Sequence, residues 1–501
     1  MGRFPVTGSD VTQLGRTSDW SGVRAVVAGF GRSGFAAADT LQHLGAQVVV
    51  VDEQEPTAMA EQAELMRVLG VDLRVGPGST ATLPEPVDLV VVSPGWRPDA
   101  PLLRQALDAG VPVWGEVELA WRLRGDDAAP WLVVTGTNGK TTTVQMLEAM
   151  LLAHGERAIA VGNVGTPVLE AVMDPEPWDA LAVELSSFQL YWQTSMSAQA
   201  AAVLNLAPDH LDWHAAEPGG ADDPMGHYAA AKGKAYEHAQ VACVYNVDDP
   251  ATERLVEEAD VVEGCRAIGF TLGVPAPSMV GLVEDVLADR AFVENRTTSA
   301  AELGTLRDLE QALGRTPAPH QVANALAAAA LALAHGVPPK AVRDGLRSFR
   351  PDAHRIEQVA ESGGVTWVDD SKATNTHAAL ASLRGVEHAV WIAGGLAKGA
   401  SFDELVEQAA DRMRAVVLIG RDREVIAEAL RRHAPDVPVV EVEPGETDLM
   451  DRVVDAAASF ARPGDTVLLA PGCASMDQFE SYGARGDAFA AAVRRRVHEQ
   501  P

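Results

Sequence analysis

Short apolar runs alternate with longer mixed segments along almost the whole chain. The runs are rich in valine and other β-branched residues, which favours buried strands, and the segments between them are long enough for helices. Strands are predicted at 23–30, 47–51, 73–75, 87–92, 111–114, 131–134, 180–185, 201–206, 365–368, 390–393, 415–419 and 466–469. Because strands that alternate with helices form parallel sheets, this pattern predicts an α/β protein made of doubly wound, Rossmann-like domains.

The runs fall into three groups, and a length of 501 residues suits about three domains. The first domain is placed at 1–116, the second at 117–350 and the third at 351–501. Within the first domain, residues 1–20 are polar and are expected to form a disordered or strand-like tail.

Three less regular elements are predicted in the central segment. Residues 281–293 alternate in the manner of a hairpin that turns at Ala288 and Asp289. Residues 303–313 have a helical pattern, and an alanine- and leucine-rich helix is expected at 319–335.

A glycine-, proline- and acid-rich stretch at 214–227 is expected to be a mobile loop. A helix follows at 228–238 and carries Lys232 and Lys234. On composition alone, these two lysines are interpreted as solvated surface residues.

Candidate chemistry is densest in the stretch Trp131–Thr143, which reads WLVVTGTNGKTTT. A strand, a glycine-rich turn and a helix start form a phosphate cradle, because backbone N–H groups converge on the anion at the helix amino terminus. Lysine can reach the β- and γ-phosphates and the following threonine can bind Mg²⁺. The expected ATP contacts are Gly136, Thr137, Asn138, Gly139, Lys140, Thr141 and Thr142. Val134 stands where the full Walker pattern has glycine, so an ordinary turn before a helix is the alternative.

A second glycine motif, G-x-G-x-x-G at 29–34, follows the first predicted strand, and Asp52 lies 18 residues beyond it. This fingerprint is typical of NAD sites, but its chemistry suits any diphosphate linked to a ribose, including a nucleotide sugar. A tight turn without a ligand is the third possibility. Gly95 lies in a further loop at the carboxyl end of a strand, where open α/β sheets bind ligands.

Thr141, Glu184 and His210 all lie just past the carboxyl ends of predicted strands. Because these ends share one edge of a parallel sheet, the three side chains are expected to converge on one Mg²⁺. A surface or satisfied core histidine is the alternative for His210. In the third segment, the lysines at strand ends are expected to bind anions.

Composition narrows the possible partners. The net charge is −30, from 40 basic and 70 acidic residues, which disfavours nucleic acid and anionic membranes. No window is apolar enough for a membrane span, and the polar start lacks a signal-peptide core. The three cysteines are scattered without a C-x-x-C motif, so we expect free thiols and a cytoplasmic location.

Several stretches resemble the Mur ligases, ATP-dependent enzymes that form amide bonds in peptidoglycan precursors. TGTNGKTT at 135–142 is typical of their superfamily, which also includes the folylpolyglutamate synthetases. DDSKATN at 369–375, GGLAKG at 394–399 and PGCASMDQF at 471–479 are similar to the member that adds D-glutamate to UDP-N-acetylmuramoyl-L-alanine. The resemblance implies that ATP phosphorylates the substrate carboxylate and that the amine of D-glutamate attacks the acyl phosphate.

The same resemblance implies roles for individual residues. It makes Lys140, His210 and Lys232 catalytic, with Lys232 carbamylated by CO₂. It implies two Mg²⁺ ions, with ligands among Thr141, Glu184, His210 and Lys232. It implies three further ATP contacts, which are Asn324, Arg355 and Asp370. It assigns to the UDP-linked substrate Gly31, Arg32, Ser33, Asp52, Glu53, Gly95, Asn163 and Ser186. It assigns to D-glutamate Lys372, Thr374, Lys398, Ser475 and Met476.

The chain departs from the usual family pattern at three places. Gln321 replaces an asparagine, the spacing from His210 to Lys232 is stretched, and Glu53 replaces a more often neutral residue. These departures are not expected to change the reaction, although Glu53 weakens the assignment of uracil contacts.

Three other interpretations are open from the sequence. A related ligase could add a different amino acid, a regulator could hydrolyse ATP without ligation, and a dehydrogenase could use the motif at 29–34. The nucleotide-sugar site argues against a folate ligase, and Glu184, His210 and Lys232 argue against a regulator. A monomer that acts on small molecules is expected.

Overall fold

The computed structural model describes residues 11–125, 127–443 and 448–499, apart from the side chains of residues 58 and 499. The chain divides into two compact units, one ending at Arg350 and the other beginning at Pro351. Within the described ranges the strands form three sheets, two in the first unit and one in the second. No helix of these ranges is long and apolar enough to cross a membrane.

The first sheet is parallel, with strand order β3-β2-β1-β4-β5. Its strands are β1 (Arg24–Ala28), β2 (Gln47–Asp52), β3 (Asp72–Val75), β4 (Leu89–Val92) and β5 (Val113–Gly115). The helices beside it are α1 (Arg32–His43), α2 (Ala60–Val68), α3 (Pro101–Asp108) and α4 (Glu116–Leu123). All four residues of β4 are buried because both faces of the sheet are covered, as a continuous valine-rich run requires.

The second sheet has the order β14-β13-β12-β11-β10-β9-β6-β8-β7. Its strands are β6 (Trp131–Thr135), β7 (Ala158–Gly162), β8 (Ala180–Glu184), β9 (Ala200–Val203), β10 (Ala242–Asn246), β11 (Arg266–Phe270), β12 (Met279–Val283), β13 (Val286–Asp289) and β14 (Ala301–Thr305). The sheet is parallel from β7 to β12, and β13 and β14 extend it as antiparallel strands.

The helices of this second group are α5 (Lys140–His154), α6 (Val168–Met173), α7 (Ser187–Tyr191), α8 (Leu211–His214), α9 (Pro224–Gly233), α10 (Pro250–Glu257), α11 (Leu306–Leu313), α12 (Pro319–His335) and α13 (Pro339–Ser348). Helices α5, α12 and α13 pack against one another, and α12 also contacts β9 to β12. Nearly all alanine and leucine side chains of α12 are buried in the core on this face, and Asn324 of this helix lies against Gly139, just before α5.

The second unit contains the third sheet, with order β15-β16-β20-β17-β18-β19. Its strands are β15 (Glu357–Ser362), β16 (Val365–Asp369), β17 (Ala389–Gly394), β18 (Met413–Ile419), β19 (Val439–Glu441) and β20 (Thr466–Leu469). Its helices are α14 (Thr376–Arg384), α15 (Asp403–Ala409), α16 (Arg423–His433), α17 (Leu449–Phe460) and α18 (Tyr482–Glu499). Only the β15–β16 pair is antiparallel in the described part of this sheet. Short 3₁₀ helices lie at Val11–Gln13, Thr57–Met59 and Ala410–Arg412.

The predicted α/β class is confirmed, but the expectation of a disordered or strand-like tail is wrong for residues 11–20. Val11 and Leu14 are buried, and Trp20 is completely buried and donates its indole N–H to the carbonyl oxygen of Gly15 at 3.0 Å. These apolar side chains contribute to the first core, which outweighs the polar composition of the segment. Residues 1–10 lie outside the described ranges.

Two element boundaries in the central segment were predicted wrongly. The hairpin of β12 and β13 turns at residues 284–285, while Ala288 and Asp289 lie within β13. Residues 301–305 form β14, so the helix expected at 303–313 begins only at Leu306. In both places the pairing of β13 with β14 decides the local structure, and that pairing is not visible in a single segment.

The stretch 214–227 contains turns and the start of α9, and it is held by a buried polar network. The imidazole of His214 contacts the carboxylate of Glu217 through Nδ1 and lies 3.0 Å from Ser187 Oγ through Nε2. His227 Nδ1 lies 2.8 Å from the second carboxylate oxygen of Glu217. The segment that follows His210 is therefore anchored to α7 by side chains.

Candidate functional site

Residues 136–139 connect the carboxyl end of β6 to the amino terminus of α5. Gly136 has φ +147° and Gly139 has φ +87°, conformations that favour glycine. A Cβ atom at Gly139 would lie 2.4 Å from Asn324 Oδ1, and one at Gly136 would lie 3.0 Å from Leu204 Cβ. The path of the loop therefore requires both glycines, and Asn324 lies directly against it.

The loop is tied to the segment that follows β9. The backbone N–H of Asn138 donates to Asn205 Oδ1 at 2.9 Å, and Asn205 Nδ2 donates to the carbonyl oxygen of Asn138 at 3.0 Å. Thr137 Oγ1 donates to the carbonyl oxygen of Ala207 at 3.0 Å and lies 2.8 Å from the hydroxyl oxygen of Tyr228. The sequence analysis missed Asn205 and Tyr228. Asn205 is a polar residue inside the apolar run 201–206 that was predicted as a strand, and this was the available signal for it.

The amino terminus of α5 is suited to an anion. Gly139 occupies the cap position, and no side chain caps this helix end in the described structure. Thr141 and Thr142 are buried in the first turn. Lys140 folds back over the loop, with Nζ 2.9 Å from the carbonyl oxygen of Gly136 and 3.0 Å from that of Thr137. Backbone amides, hydroxyls and an ammonium group thus meet at one helix terminus, which is the donor set of a phosphate site.

Glu184 is the last residue of β8 and is 2% exposed. Its strand is the neighbour of β6, with Val134 opposite Glu184. Asn163 Nδ2 donates to Glu184 Oε1 at 2.9 Å, whereas Oε2 is buried without a hydrogen-bond partner in the described residues. A buried carboxylate oxygen without a donor is costly, and a bound divalent cation would satisfy it. Glu184 therefore fits a metal ligand.

Lys232 lies in α9 and is 2% exposed, so the interpretation as a solvated surface lysine is wrong for this residue. Its Nζ atom donates to the carbonyl oxygen of Gly136 at 2.9 Å and lies 3.5 Å from Thr135 Oγ1. Burial holds the pKa of Lys232 well below its usual range, and repulsion by Lys140 acts in the same direction.

Two carboxylates counteract the shift at Lys232, since Asp209 and Glu184 attract its charged form and raise the pKa. Lys140, Lys232, Asp209 and Glu184 are therefore close enough to interact electrostatically. The sequence analysis missed Asp209 in this group. Lys234 is half-buried and donates to the carbonyl oxygen of Tyr191 at 2.9 Å, so it too is not a freely solvated lysine.

His210 lies between β9 and α8, with φ +53°. Its ring centroid is 4.9 Å from that of Phe188, and Phe188 also stacks at 4.7 Å against Trp213. The imidazole Nε2 lies 3.6 Å from Asp209 Oδ1, and one third of the side chain is exposed. His210 is thus a partly exposed histidine held by aromatic packing beside an acid, rather than a core histidine.

The glycine motif of the first sheet forms a tight turn before α1. Gly29 has φ +97°, and a Cβ atom at Gly34 would lie 1.9 Å from the carbonyl oxygen of Gly29. No side chain caps α1 at Gly31 in the described structure, and Arg32 and Ser33 begin the helix. The geometry suits a diphosphate at this helix terminus.

The two acids after β2 are already engaged by backbone amides. Asp52 accepts from the N–H of Phe30 at 2.8 Å and of Gln54 at 3.0 Å. Glu53 accepts from the N–H of Gly78 at 2.9 Å and contacts Thr80. Both acids order the loops around the turn, which is a different role from the direct substrate contact that the resemblance implies.

The remaining residues assigned to the UDP-linked substrate also have local roles. Asn163 is bonded to Glu184, and Ser186 caps α7 by accepting from the N–H of Gln189 at 3.2 Å. Gly95 lies in the turn after β4, where a Cβ atom would meet no atom within 4 Å. Asn163 and Ser186 thus lie at the carboxyl end of the second sheet, near Glu184, while Gly95 belongs to the first sheet.

In the second unit, Asp370 directly follows β16 and is buried. It accepts from the backbone N–H of Ile356 at 3.3 Å and from the hydroxyl of Ser382. Burial raises the pKa of Asp370 to about 6, although Ser382 and Arg355 favour the ionised form. Arg355 and Asp370 are therefore electrostatic neighbours.

His354 Nδ1 lies 2.7 Å from Asp369 Oδ2, and the backbone N–H of His354 donates to Glu357 Oε2 at 3.0 Å. The ligand atoms of His354, Glu357 and Asp369 lie within 4.8 Å of one another. His354 thus bonds to both acids of this cluster, through its backbone to Glu357 and through its ring to Asp369.

Three loops of the second unit meet at the carboxyl ends of β16, β20 and β17. The N–H of Gly472 donates to the carbonyl oxygen of Ala373 at 2.8 Å, and Leu396 and Ala474 exchange backbone hydrogen bonds of 2.8 and 3.0 Å. These bonds join the loops that carry the residues assigned to D-glutamate, which are Lys372, Thr374, Lys398, Ser475 and Met476. Among these five residues Ser475 is buried, while Met476 is 73% exposed.

Arg485 holds two of these loops together, and the sequence analysis missed it. This residue of α18 is 1% exposed. Its guanidinium group donates to Ser371 Oγ at 2.9 Å, to the carbonyl oxygen of Ser371 at 2.9 Å and to that of Cys473 at 3.1 Å. Tyr482 of the same helix lies under Lys372, with Nζ 4.0 Å from the ring centroid. An arginine on a distant amphipathic helix gives no local signal of such a contact.

Comparison with known proteins covers the chain in three parts. Residues 23–115 match the family profile described as "Mur ligase MurD-like, N-terminal domain", residues 134–332 match "Mur ligase middle domain", and residues 354–473 match "Mur ligase, glutamate ligase domain".

Individual relatives extend this likeness over almost the full length. The UDP-N-acetylmuramoylalanine–D-glutamate ligase of Streptomyces avermitilis is 59% identical over 477 residues, which cover 95% of this chain and 99% of the relative. The ligase of the same name from Streptomyces coelicolor is 59% identical over 480 residues, with 95% and 99% coverage. Among solved structures, the UDP-N-acetylmuramate-alanine ligase of Thermotoga maritima superposes with a TM-score of 0.56 at 19% identity, covering 95% of this chain and 99% of that one, which shows the shared fold. The chain belongs to the Mur ligase family.

Proposed function

We propose that this protein is an ATP-dependent ligase that joins the carboxylate of UDP-N-acetylmuramoyl-L-alanine to the amine of D-glutamate and releases ADP and phosphate. The full-length likeness to ligases named for this reaction supports the substrates. The observation that carries the reaction class is the group around Gly136, where a phosphate loop, a buried acid with an unsatisfied oxygen and a buried lysine lie together. Its product would serve peptidoglycan and hence cell-wall synthesis.

A carboxylate must be activated before an amine can displace its oxygen, because the oxide is a poor leaving group. We infer that the loop of residues 136–139 and the amino terminus of α5 bind the ATP phosphates, and that Lys140 leaves its loop carbonyls to neutralise the β- and γ-phosphates. Transfer of the γ-phosphoryl group to the carboxylate gives an acyl phosphate. The amine of D-glutamate then adds to the acyl carbon, and the tetrahedral intermediate expels phosphate as the amide forms.

The family uses ATP and Mg²⁺. When bound, Mg²⁺ supplies charge neutralisation at the phosphate oxygens. We propose Thr141 and Glu184 as ligands of one ion, since a hydroxyl and a carboxylate oxygen are ligands that Mg²⁺ prefers. We propose His210 for a second ion. The unsatisfied Oε2 of Glu184 is the observation that supports a cation here.

We further propose that Lys232 is carbamylated. Only a neutral amine has the lone pair that adds to CO₂, and burial lowers the pKa of Lys232 toward that form. Addition of CO₂ to the neutral amine forms an N–C bond, releases the one proton that the nitrogen loses and leaves an anionic carbamate. This change would remove the repulsion between Lys232 and Lys140 and would add an oxygen ligand beside Glu184.

The second unit is proposed to supply the remaining polar contacts. Arg355 and Asp370 would contact ATP, as would Asn324 of the first unit, which lies against the phosphate loop. The five residues Lys372, Thr374, Lys398, Ser475 and Met476 would contact D-glutamate, with the two lysines opposite its carboxylates. The joining of their loops by Gly472, Leu396 and Ala474 supports a shared role.

For the UDP-linked substrate, we propose contacts from Gly31, Arg32 and Ser33 at the start of α1 and from Gly95. The engagement of Asp52 and Glu53 by backbone amides favours an indirect role for these two acids. We keep three functional domains at 1–116, 117–350 and 351–501, each of which contains one of the three matched family regions. We also propose that the protein acts as a monomer in the cytoplasm, where its free thiols are stable.

The direct test is release of phosphate from ATP in the presence of UDP-N-acetylmuramoyl-L-alanine, with D-Glu, L-Glu, L-Ala, L-Lys and meso-diaminopimelate offered separately. Release with D-Glu alone, matched by amide product, is expected. Release with a different amino acid would keep the ligase chemistry and replace the assignment of the loops at 369–375, 394–399 and 471–479. Release that is indifferent to every acceptor would support a simple ATPase, and reduction of NAD would support a dehydrogenase.

A further inference from the structure

Two of the three cysteines, which are 22 residues apart in sequence, lie side by side at the second sheet. Cys243 belongs to β10, and Cys265 directly precedes β11, the parallel neighbour of β10. Their Sγ atoms are 3.9 Å apart. This separation exceeds a disulfide bond by only about 2 Å. Both residues are free thiols in this structure.

The two thiols differ in access to solvent. Cys243 is 2% exposed and is part of the core beneath the sheet. Cys265 is half-buried and lies at the end of a turn, with its N–H bonded to the carbonyl oxygen of Val262 at 3.0 Å. A small solute can therefore reach Cys265 directly, whereas Cys243 is reached through Cys265.

The surroundings of the two thiols shift their pKa values in opposite directions. The pKa of the Cys265 thiol is lowered by its contact with the thiol of Cys243 and, more weakly, by the backbone N–H groups of Arg266 and Cys243, while partial burial opposes the shift. The pKa of Cys243 is raised by the same contact and by burial. A partly exposed thiol beside a buried thiol is the arrangement of an attacking and a resolving cysteine, and the lowered pKa of Cys265 favours its role as the attacking one.

Cys473 provides a contrast within the same chain. It belongs to the second unit and is completely buried. Burial raises the pKa of its thiol to about 12. It therefore lacks both the lowered pKa and the solvent exposure that Cys265 has, and we expect it to stay reduced under mild oxidation.

We propose that Cys265 and Cys243 form a peroxide-sensitive thiol pair that closes to a reversible intramolecular disulfide. The Cys265 thiolate attacks hydrogen peroxide, so that an S–O bond forms, the O–O bond breaks and hydroxide leaves, taking up a proton as water. The sulfur of Cys243 then attacks the sulfenic acid, so that the S–S bond forms, the S–O bond breaks and the thiol proton leaves with a second water. Two thiols are oxidised by two electrons, and one peroxide is reduced to two waters.

The bridge would close a loop that contains α10, at the amino-terminal end of β10. The proposed ligase site lies at the carboxyl ends of β6, β8 and β9. The carboxyl end of β10 is the end that lies near this site, because Asn246, its last residue, donates through Nδ2 to the carbonyl oxygen of Leu204 at 3.0 Å. The thiol pair is thus separate from the proposed ligase site, and its test needs no ligase activity.

The test treats the native full-length protein with hydrogen peroxide in slight excess, then denatures it, alkylates it with iodoacetamide and measures the intact mass and the peptide map. We expect the number of alkylated cysteines to fall from three to one and a peptide pair linked through Cys243 and Cys265 to be found. Dithiothreitol added before alkylation should restore all three. Three alkylated thiols after peroxide, a bridge to Cys473, or a bridge between chains would overturn the proposal.

Two variants separate the steps. In Cys265→Ser the attacking thiol is absent, and Cys243 should remain alkylatable at the same peroxide dose. In Cys243→Ser the resolving thiol is absent, and Cys265 should gain about 16 or 32 Da as sulfenic or sulfinic acid instead of forming a bridge. Equal peroxide sensitivity of the two single variants would contradict the assigned roles. The peptide map of the unaltered chain decides the proposal if either variant fails to fold.

Discussion

Lys140 and Lys232 share one acceptor, since each Nζ atom lies 2.9 Å from the carbonyl oxygen of Gly136. Two ammonium groups on one carbonyl repel each other, and the one that is completely enclosed, Lys232, has its pKa lowered by burial and by Lys140. Burial and repulsion therefore both favour the neutral form of Lys232 at the end of β6. Lys140 is suited to phosphate binding and Lys232 to covalent modification.

Replacement of Lys140 tests the proposed phosphate site. Lys140→Ala removes the charge that opposes the β- and γ-phosphates, and the expected loss is at least about 3 kcal/mol of transition-state stabilisation, roughly a hundredfold in rate. The measurement is phosphate release at saturating substrates. Lys340→Ala is the control, because Lys340 is 78% exposed and pairs with Asp344 on the surface, and it should keep turnover within about twofold. Near-normal turnover of Lys140→Ala would remove this lysine from the mechanism.

Replacement of Lys232 tests the proposed carbamylation. Lys232→Ala should be nearly inactive and should be partly rescued by acetate or formate, because a small carboxylate can occupy the space of the carbamate. Bicarbonate should stimulate the unaltered protein and should leave the variant unchanged. Turnover is followed by phosphate release across a series of acid concentrations.

The matched control for this experiment is Lys234→Ala, two residues along the chain, whose Nζ atom bonds to the carbonyl oxygen of Tyr191 instead of the phosphate loop. Any loss of activity there should not respond to short acids. Full activity of Lys232→Ala without acid, or a free amine in a structure determined with bicarbonate, would contradict the carbamate.

The loop of residues 136–139 could be predicted from the sequence, because its strand, its glycine turn and the start of its helix are consecutive in the chain. The contacts that complete it join distant segments. Asn205 reaches the loop only because β9 lies beside β6, and Lys232 is buried only because α9 packs over the same strand end. Composition predicts a solvated lysine there, and tertiary packing overrides it.

The difference between local sequence patterns and contacts of distant segments also explains which parts of the fold were predicted wrongly. The buried valine-rich strands were predicted well, because a parallel sheet covered on both faces needs continuous apolar runs. Trp20 was placed in a tail because its neighbours are polar, yet one large indole contributes enough burial to hold the segment. The turn of the β12–β13 hairpin was misplaced because alternation alone does not fix register without the pairing partner β14.

The two ends of α5 offer a test of the loop geometry. Gly139 and Gly155 both have left-handed φ angles, +87° and +96°, so a Cβ atom strains both positions by about 1 kcal/mol. A Cβ atom at Gly139 would also lie 2.4 Å from Asn324 Oδ1, whereas one at Gly155 would meet nothing within 4 Å. Gly139→Ala should therefore raise the KM for ATP at least about tenfold, and Gly155→Ala should lower only the Tm. Equal kinetic effects of the two substitutions would argue against a specific role of the loop.

Arg485 is expected to act through the loops it joins. Arg485→Met keeps much of the buried volume but removes three hydrogen bonds to Ser371 and Cys473. The KM for D-glutamate should rise by about tenfold or more, while the KM for UDP-N-acetylmuramoyl-L-alanine should change less than threefold. Arg495→Ala on the same helix is the control, because Arg495 is an exposed partner of Asp451. A uniform loss of kcat with both KM values unchanged would assign Arg485 to stability alone.

Glu116 is expected to make stability depend on pH. This first residue of α4 is 2% exposed, accepts from the N–H of Leu169 at 2.6 Å through Oε1, and has no partner for Oε2 in the described residues. Burial raises its pKa from 4.5 to about 7, although the N–H of Leu169 favours the ionised form. The folded state thus retains a proton that the unfolded state releases at lower pH.

Because the folded pKa is the higher one, the stability contributed by protonated Glu116 is complete below pH 4.5 and is lost as pH rises through about 7. The total difference is on the order of 3 kcal/mol. Glu116→Gln does not titrate, so the Tm of this variant relative to the unaltered protein should rise between about pH 4.5 and about pH 8 in thermal unfolding. Glu64→Gln, at a side chain 71% exposed, should leave the pH profile unchanged. Parallel profiles for Glu116→Gln and the unaltered protein would show that Glu116 is ionised in the folded state across this range.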